Sequence, residues 1–172
     1  MENLQKYVEL FSLISERFDG AELGKKVVQK LFYFYERKGI TLNLRYGIHF
    51  YGPYSSKLDN ALHMLESEEY ISIDTSKATH VISVNPLENN IEQLTGEEKN
   101  IAIEVLDAFA HKTPLELEAL ATMDYVATSI LVRGATDEEI IEKFKEIKGS
   151  KFNNRSINKT LSELKKLNLI VA

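Results

Sequence analysis

Apolar residues recur at helical spacing over most of this chain, and that periodicity limits its fold more than any other feature. Residues 3–18 carry a wide apolar stripe that is typical of an amphipathic helix, which is expected to end at Asp19 and Gly20. A similar stripe over residues 21–38 is followed by Gly39, a favourable helix stop. The sequence therefore predicts a protein built mainly from amphipathic helices.

Three short segments have the character of strands instead. Residues 70–74 and 80–84 alternate in polarity, and the five residues between them predict a β-hairpin. Residues 46–51 are rich in aromatic side chains and favour another strand, which Gly52 and Pro53 are expected to break. The predicted fold class is therefore mainly α (α+β), with a small β-hairpin.

The second half of the chain is predicted to be helical. The four expected helices cover residues 97–110, 113–132, 136–148 and 156–167. Thr95 is placed to cap the first of them, with Glu98 at the partner position of a capping box. Pro114 stands in the first turn of the second, where proline is tolerated.

The segments 58–65 and 157–164 carry their apolar residues at the same positions, without a gap. An amphipathic helix that leads into a strand is typical of the third helix of a winged-helix unit; two helices that match by chance are the alternative. We therefore predict a winged-helix-like half, residues 1–94, packed on a helical half, residues 95–172. The second half would end in a truncated winged-helix-like unit, and the two halves would form one compact unit.

Composition and motifs argue against several kinds of function. The chain has no cysteine, which excludes disulfides and thiolate chemistry and suggests a reducing, cytoplasmic location. No apolar run approaches the roughly 20 residues that a membrane-spanning helix needs. The four histidines lack ligand-like spacing, and neither a nucleophile-elbow nor a phosphate-loop motif occurs. We therefore predict that the protein is not an enzyme and holds no metal or cofactor.

The stretch 143–166 contains eight basic residues and two acidic ones. One hypothesis is that this stretch binds nucleic acid, since such an excess can face phosphates. The candidate contacts are Lys151, Arg155, Lys159 and Lys166. The alternative is an ordinary solvated surface, which the net charge of -5 for the whole chain favours.

Three motifs resemble a known family: VQKLFYF at residues 28–34, YGIHFYGPYS at residues 46–55, and the leucine helix that begins at Leu58. Together they resemble the YwgA-like family of largely uncharacterised prokaryotic proteins, a relative of the Panacea (SocA-like) antitoxin domain. Residues 117–122 and 157–170 extend the resemblance over most of the chain. It implies protein binding, either to neutralise a toxin or to deliver a partner to a protease. Tyr51 stands where the antitoxin version has a histidine before Gly-Pro.

The stretch HFYGPYSSKL, residues 49–58, has two interpretations. It is either a corner of the fold, in which Gly52 adopts a conformation closed to other residues and Ser55 or Ser56 caps a helix, or a groove for a partner peptide. The groove would use Tyr33, Tyr51, Tyr54 and Lys57.

The function that we predict is a non-catalytic, antitoxin-like or adaptor-like protein–protein interaction module with an unknown protein partner. The alternative is a winged-helix DNA-binding transcriptional regulator. A homodimer is compatible with both, because the truncated second unit could serve in dimerisation.

Overall fold

The computed structural model describes residues 4–18, 21–86, 90–131 and 134–171. Within these ranges the chain forms seven α-helices and small β-structures, which confirms the predicted fold class. The helix ends predicted at Asp19, Gly20 and residue 132 lie outside the described residues.

The contacts divide the chain into two compact units. The first consists of Met1–Gly47 and Tyr54–Lys112, and the second of Ile48–Pro53 and Thr113–Ala172. This division differs from the predicted halves, residues 1–94 and 95–172, because one helix of the predicted second half lies in the first unit. That helix, Gly96–Phe109, stacks Phe109 on Phe34 with their ring centroids 3.8 Å apart.

In the first unit, three helices pack against a small three-stranded sheet and a fourth packs on two of them. The sheet has the order β1-β5-β4, and both pairings are antiparallel, so the predicted hairpin of β4 and β5 is confirmed. The elements are α1 (Leu4–Arg17), β1 (Leu23–Gly24), α2 (Lys25–Lys38), α3 (Ser56–Ser67), β4 (Ile71–Asp74), β5 (Val81–Val84) and α4 (Gly96–Phe109).

The prediction of one helix over residues 21–38 is wrong at its start. Leu23 pairs with Ile82 in the sheet, and Gly24 has the extended dihedral angles φ -75° and ψ 145°. The helix α2 therefore begins only at Lys25. The pairing of Leu23 with a strand almost sixty residues further along the chain outweighs the local helical pattern. The residues around Leu23 carry no local sign of this pairing.

The aromatic hairpin is formed by β2 (Gly47–His49) and β3 (Gly52–Tyr54). The prediction that Gly52 and Pro53 end a strand is wrong, because both residues lie in β3; proline is tolerated in such a short strand. Gly52 has φ +92°, which confirms the special conformation expected of it. The turn of the hairpin consists of Phe50 and Tyr51.

The second unit contains α5 (Pro114–Tyr125), which continues into a π-helical segment (Val126–Ile130), then α6 (Asp137–Lys148) and α7 (Asn154–Lys166). Thr113 and Thr136 cap α5 and α6 in capping boxes, as Thr95 does for α4, which confirms the prediction for Thr95. The start predicted for α7 is two residues late, because the side chain of Asn153 caps the helix.

The correspondence between α3 and α7 extends to their buried faces and their ends. The N–H of Tyr70 donates to the carbonyl of Leu65 at 2.9 Å, and the N–H of Leu169 donates to that of Leu164 at 3.0 Å. Both helices end in a left-handed residue, Glu69 with φ +62° and Asn168 with φ +55°. The matching buried positions are Leu58, Ala61, Leu62 and Leu65 in α3 and Ile157, Thr160, Leu161 and Leu164 in α7.

Candidate functional site

Phe50 and Tyr51, which we call the aromatic tip, are the most exposed aromatic pair among the described residues. Phe50 is 81% exposed and Tyr51 is 42% exposed. Their ring centroids lie 4.9 Å apart and their planes meet at 82°, so the rings form an edge-to-face pair. Two adjacent exposed aromatic rings form an apolar patch, and such patches are candidates for contact surfaces, so the tip is the first candidate here.

A cluster of three charged residues supports the tip; we call Glu118, Lys148 and Lys151 the ion cluster. Lys148 Nζ lies 2.6 Å from Glu118 Oε1 and donates a second hydrogen bond, at 3.0 Å, to the carbonyl of Phe50. Lys151 Nζ donates to both oxygens of Glu118, at 2.8 and 3.0 Å. It also lies 5.9 Å from the ring centroid of Phe50 and 5.3 Å from that of Tyr51.

The ion cluster is largely removed from water. The side chain of Lys148 is only 3% exposed and that of Glu118 is buried, whereas that of Lys151 is 35% exposed. Burial alone would raise the pKa of Glu118, but the hydrogen bonds and charges of the two lysines outweigh it and lower this pKa. Two ammonium groups face one carboxylate, so the cluster carries a surplus positive charge, and Lys151 offers it to solvent.

The four residues predicted for a partner groove lie in different surroundings. Tyr33 is buried and packs edge-to-face on Phe34 and Tyr46 in the first unit. Tyr54 and Lys57 are half-buried in the same unit, where Lys57 Nζ donates to the carbonyl of Asn43 at 3.0 Å. Tyr51 is exposed and belongs to the second unit. Of the four, Tyr51 offers the most accessible aromatic surface.

Gln29 and Ser55 explain what the two resemblance motifs do locally. The side-chain amide of Gln29 donates to the carbonyl of Ser55 at 3.0 Å and accepts from its N–H at 2.9 Å. Ser55 Oγ donates to the carbonyl of Leu44 at 2.5 Å and accepts the N–H of Leu58 at 3.0 Å, so Ser55 rather than Ser56 caps α3. This part of HFYGPYSSKL is therefore a corner of the fold.

Tyr54 and Asp59 form a second polar group beside that corner. Burial, and after it a hydrogen bond to Asp59, raises the pKa of the Tyr54 hydroxyl. Burial would also raise the pKa of Asp59, but the ion pair with Lys25 outweighs it and lowers this pKa. Both shifts move the pKa away from physiological pH, so neither group is poised as a general acid or base there.

The candidate nucleic-acid contacts differ in how far they are neutralised. Arg155, Lys159 and Lys166, which we call the basic face of α7, are all exposed. Lys159 Nζ lies 3.9 Å from Glu116 Oε1, whereas no ion pair joins Arg155 or Lys166 to any described residue. Lys151 is held by Glu118 and lies against the aromatic tip instead.

Among the described residues, no three His, Asp or Glu side chains are grouped so that they could hold a metal ion. No helix in the described ranges has both the length and the apolar character needed to cross a membrane. Comparison with models of protein families finds none that matches this chain, and a search of curated proteins finds no significant match. The resemblance to the YwgA-like family therefore stays a prediction.

Sequence reasoning did not identify Phe50, Glu118 or Lys148 as part of a site. The exposure of Phe50 follows from its position in a two-residue turn, and the aromatic letters HFY alone do not reveal which ring faces outward. Glu118 lies 30 residues before Lys148 in the sequence, and only the packing of α5 brings them together. Tyr51 and Lys151 were assigned to two different functions, yet the structure places them in contact.

Proposed function

We propose that this chain is a non-catalytic protein-binding module and that the aromatic tip contacts the partner. The observation that carries the proposal is the exposure of Phe50 and Tyr51 above an ion cluster that holds both of them. Aromatic side chains dominate the binding energy of many interfaces. A tip that is already held in place loses little conformational freedom when a partner binds, which favours affinity.

We further propose that the chain is YwgA-like and works in the cytoplasm as an antitoxin-like or adaptor-like protein. The mutual hydrogen bonds of Gln29 and Ser55 support this reading, because each residue belongs to one of the motifs that carry the resemblance. The two motifs would then have a common structural purpose, which is to set the corner before α3. The partner would be a toxin or a protein destined for degradation.

The order of elements in the first unit supports a winged-helix-like arrangement. A helix, a strand and two helices (α1, β1, α2 and α3) precede the β4–β5 hairpin, which would be the wing, and β1 pairs with β5. In such an arrangement α3 would be the helix that reads DNA. Residues 59–74, however, contain five acidic residues and neither Lys nor Arg, so this segment would repel phosphate. α3 itself carries Lys57 against Asp59 and Glu66, so most of this acidic excess follows the helix. The excess favours a protein partner over DNA for this surface.

A pull-down from the source cells tests the proposal. We would compare the tagged wild-type chain, the tip variant Phe50→Ser/Tyr51→Ser, and the control Ile103→Ser, which alters an exposed apolar residue of α4. Each lysate would be split into nuclease-treated and untreated halves. We expect a stoichiometric protein that survives nuclease with wild type and control and is lost with the tip variant. Full capture by the tip variant would contradict the proposal.

A second candidate function is DNA binding through the basic face of α7. It is favoured by Arg155 and Lys166, which are exposed and form no ion pair with a described residue. It is also favoured by the link between α6 and α7, five residues that include Gly149 with φ +58°. A short turn with a glycine is typical of a helix-turn-helix. We expect an affinity for duplex DNA that falls steeply with salt and is lost in Arg155→Glu/Lys159→Glu, but kept in the equally charged Lys77→Glu/Lys143→Glu. Full affinity in the first double variant would exclude this function.

A further inference from the structure

We infer that the aromatic tip receives a second copy of this chain, which contributes Met64 and the acidic residues beside it. The inference rests on the proposed function, because it uses the same protein-binding surface and gives it a second occupant besides the foreign partner. Two properties of the tip carry it: the angle between the rings and the surplus positive charge beneath them.

The angle between the rings leaves no pair of parallel faces on which two successive bases could stack. Successive bases of a single strand stack on aromatic faces that lie roughly parallel. Phe50 and Tyr51 meet at 82°, and the ammonium group of Lys151 lies within 6 Å of both rings. The exposed parts of this edge-to-face pair are apolar surface that a thioether can contact, because methionine sulfur makes favourable contacts with aromatic rings.

Met64 is an exposed methionine in acidic surroundings. It lies on α3 and is 49% exposed. Glu66, Glu68 and Glu69 are exposed beside it, and neither Glu68 nor Glu69 forms an ion pair with a described residue. We call Met64, Glu68 and Glu69 the acidic patch. An apolar side chain with carboxylates around it complements the tip, which is apolar at its surface and positive beneath.

The distribution of charge along the chain supports this pairing. Residues 148–172 contain six basic residues and one acidic residue, although Lys148 and Lys151 pair with Glu118 and Lys165 pairs with Asp137. Residues 59–74 contain five acidic residues and neither Lys nor Arg, and of these Asp59 pairs with Lys25. Opposite fields on two surfaces steer one copy toward another. Because the two surfaces are different, association is either head-to-tail or a two-fold dimer in which the tip of each copy meets the acidic patch of the other.

Sedimentation over about 1 μM to about 1 mM protein gives the first test. We expect the mean mass to rise with concentration and to fall when NaCl is raised from about 50 mM to about 500 mM, because screening weakens the charge complementarity. The variants Phe50→Ser/Tyr51→Ser and Met64→Ser/Glu68→Lys should each associate at least about tenfold more weakly than wild type. The control Ile103→Ser/Glu104→Lys, with the same chemistry on α4, should associate like wild type.

Mixing the two variants gives the decisive measurement. The tip variant keeps its acidic patch and the patch variant keeps its tip, so an equimolar mixture can form one contact and no more. We expect a heterodimer and nothing larger. A monomeric wild type, a mixture without heterodimer, or a tip variant that associates like wild type would each overturn the inference. Tip-dependent binding of oligothymidylate would overturn it as well and assign the tip to nucleic acid.

These outcomes are separable from those of the proposed function. If the chain stays monomeric but the tip variant still loses a foreign protein from the lysate, the tip is a protein-binding surface for another partner. If the tip variant still captures that foreign protein in the pull-down, the proposed function is contradicted, whatever the sedimentation measurements show.

Discussion

At the scale of single residues, Gln29 uses one buried amide to hold both polar groups of the Ser55 backbone. We predict that Gln29→Ala lowers the free energy of unfolding by about 2 kcal/mol, because the buried N–H of Ser55 loses its partner. The carbonyl of Ser55 keeps a second donor, the N–H of Asp59 at 3.1 Å. Urea unfolding would measure the loss. The control Asn60→Ala removes an exposed amide from α3 and should change the free energy by no more than about 0.5 kcal/mol. Equal effects of both variants would contradict this account.

Glu118 makes stability depend on pH at acidic values. Its pKa is lower in the folded chain than the ordinary value of about 4.5, so the ionised form stabilises the fold. That contribution is complete above the ordinary pKa and is lost as the pH falls through the lowered pKa. We predict that Glu118→Gln costs about 3 kcal/mol near neutral pH, because the buried ammonium group of Lys148 loses its counter-charge.

The difference in unfolding free energy between wild type and Glu118→Gln should stay constant from about pH 8 to about pH 5 and shrink below about pH 4. Denaturant titrations at several pH values would test this. The matched control Glu104→Gln alters an exposed carboxylate and should stay close to wild type throughout. A difference that persists undiminished at the lowest pH would rule out the ion cluster as its cause.

At the scale of elements, the end of α3 carries a residue that is poorly suited to its conformation. Glu69 has φ +62°, a left-handed conformation that costs a non-glycine residue about 1 kcal/mol or more. We therefore predict that Glu69→Gly raises the free energy of unfolding by about 1 kcal/mol. The equivalent change Asn168→Gly at the end of α7 should give a smaller gain, because asparagine tolerates this conformation. Thermal unfolding of both variants would show the order.

An element could be predicted when the interactions that form it lie between residues close together in the sequence. The capping box at Thr95 and the apolar stripes of α3 and α7 are local, and sequence reasoning found them. The strand β1 exists because Leu23 pairs with Ile82, and the ion cluster exists because Glu118 reaches Lys148. Such long-range causes leave no periodic trace, so β1 and most of the candidate site were not predicted.

At the scale of the whole molecule, opposite charges occupy different parts of the sequence. We predict that wild type is retained by immobilised heparin, a polyanion, despite a net charge of -5. Two triple variants of equal net charge would be compared, Arg155→Gln/Lys159→Gln/Lys166→Gln and Lys26→Gln/Lys77→Gln/Lys143→Gln. The first, which removes the basic face of α7, should elute from heparin at lower salt than the second. Elution of both triple variants at the same salt would show that the basic face of α7 creates no field of its own.

The second unit joins residues 48–53 to residues 113–172, and this has a consequence for a chain that is still on the ribosome. Lys148 and Lys151, which hold the aromatic tip, are made about one hundred residues after Phe50. At a synthesis rate of about 5–20 residues per second, Phe50 and Tyr51 wait roughly 5 to 20 s for these contacts. During that interval the nascent chain displays two unsupported aromatic rings, which are the kind of segment that chaperones bind.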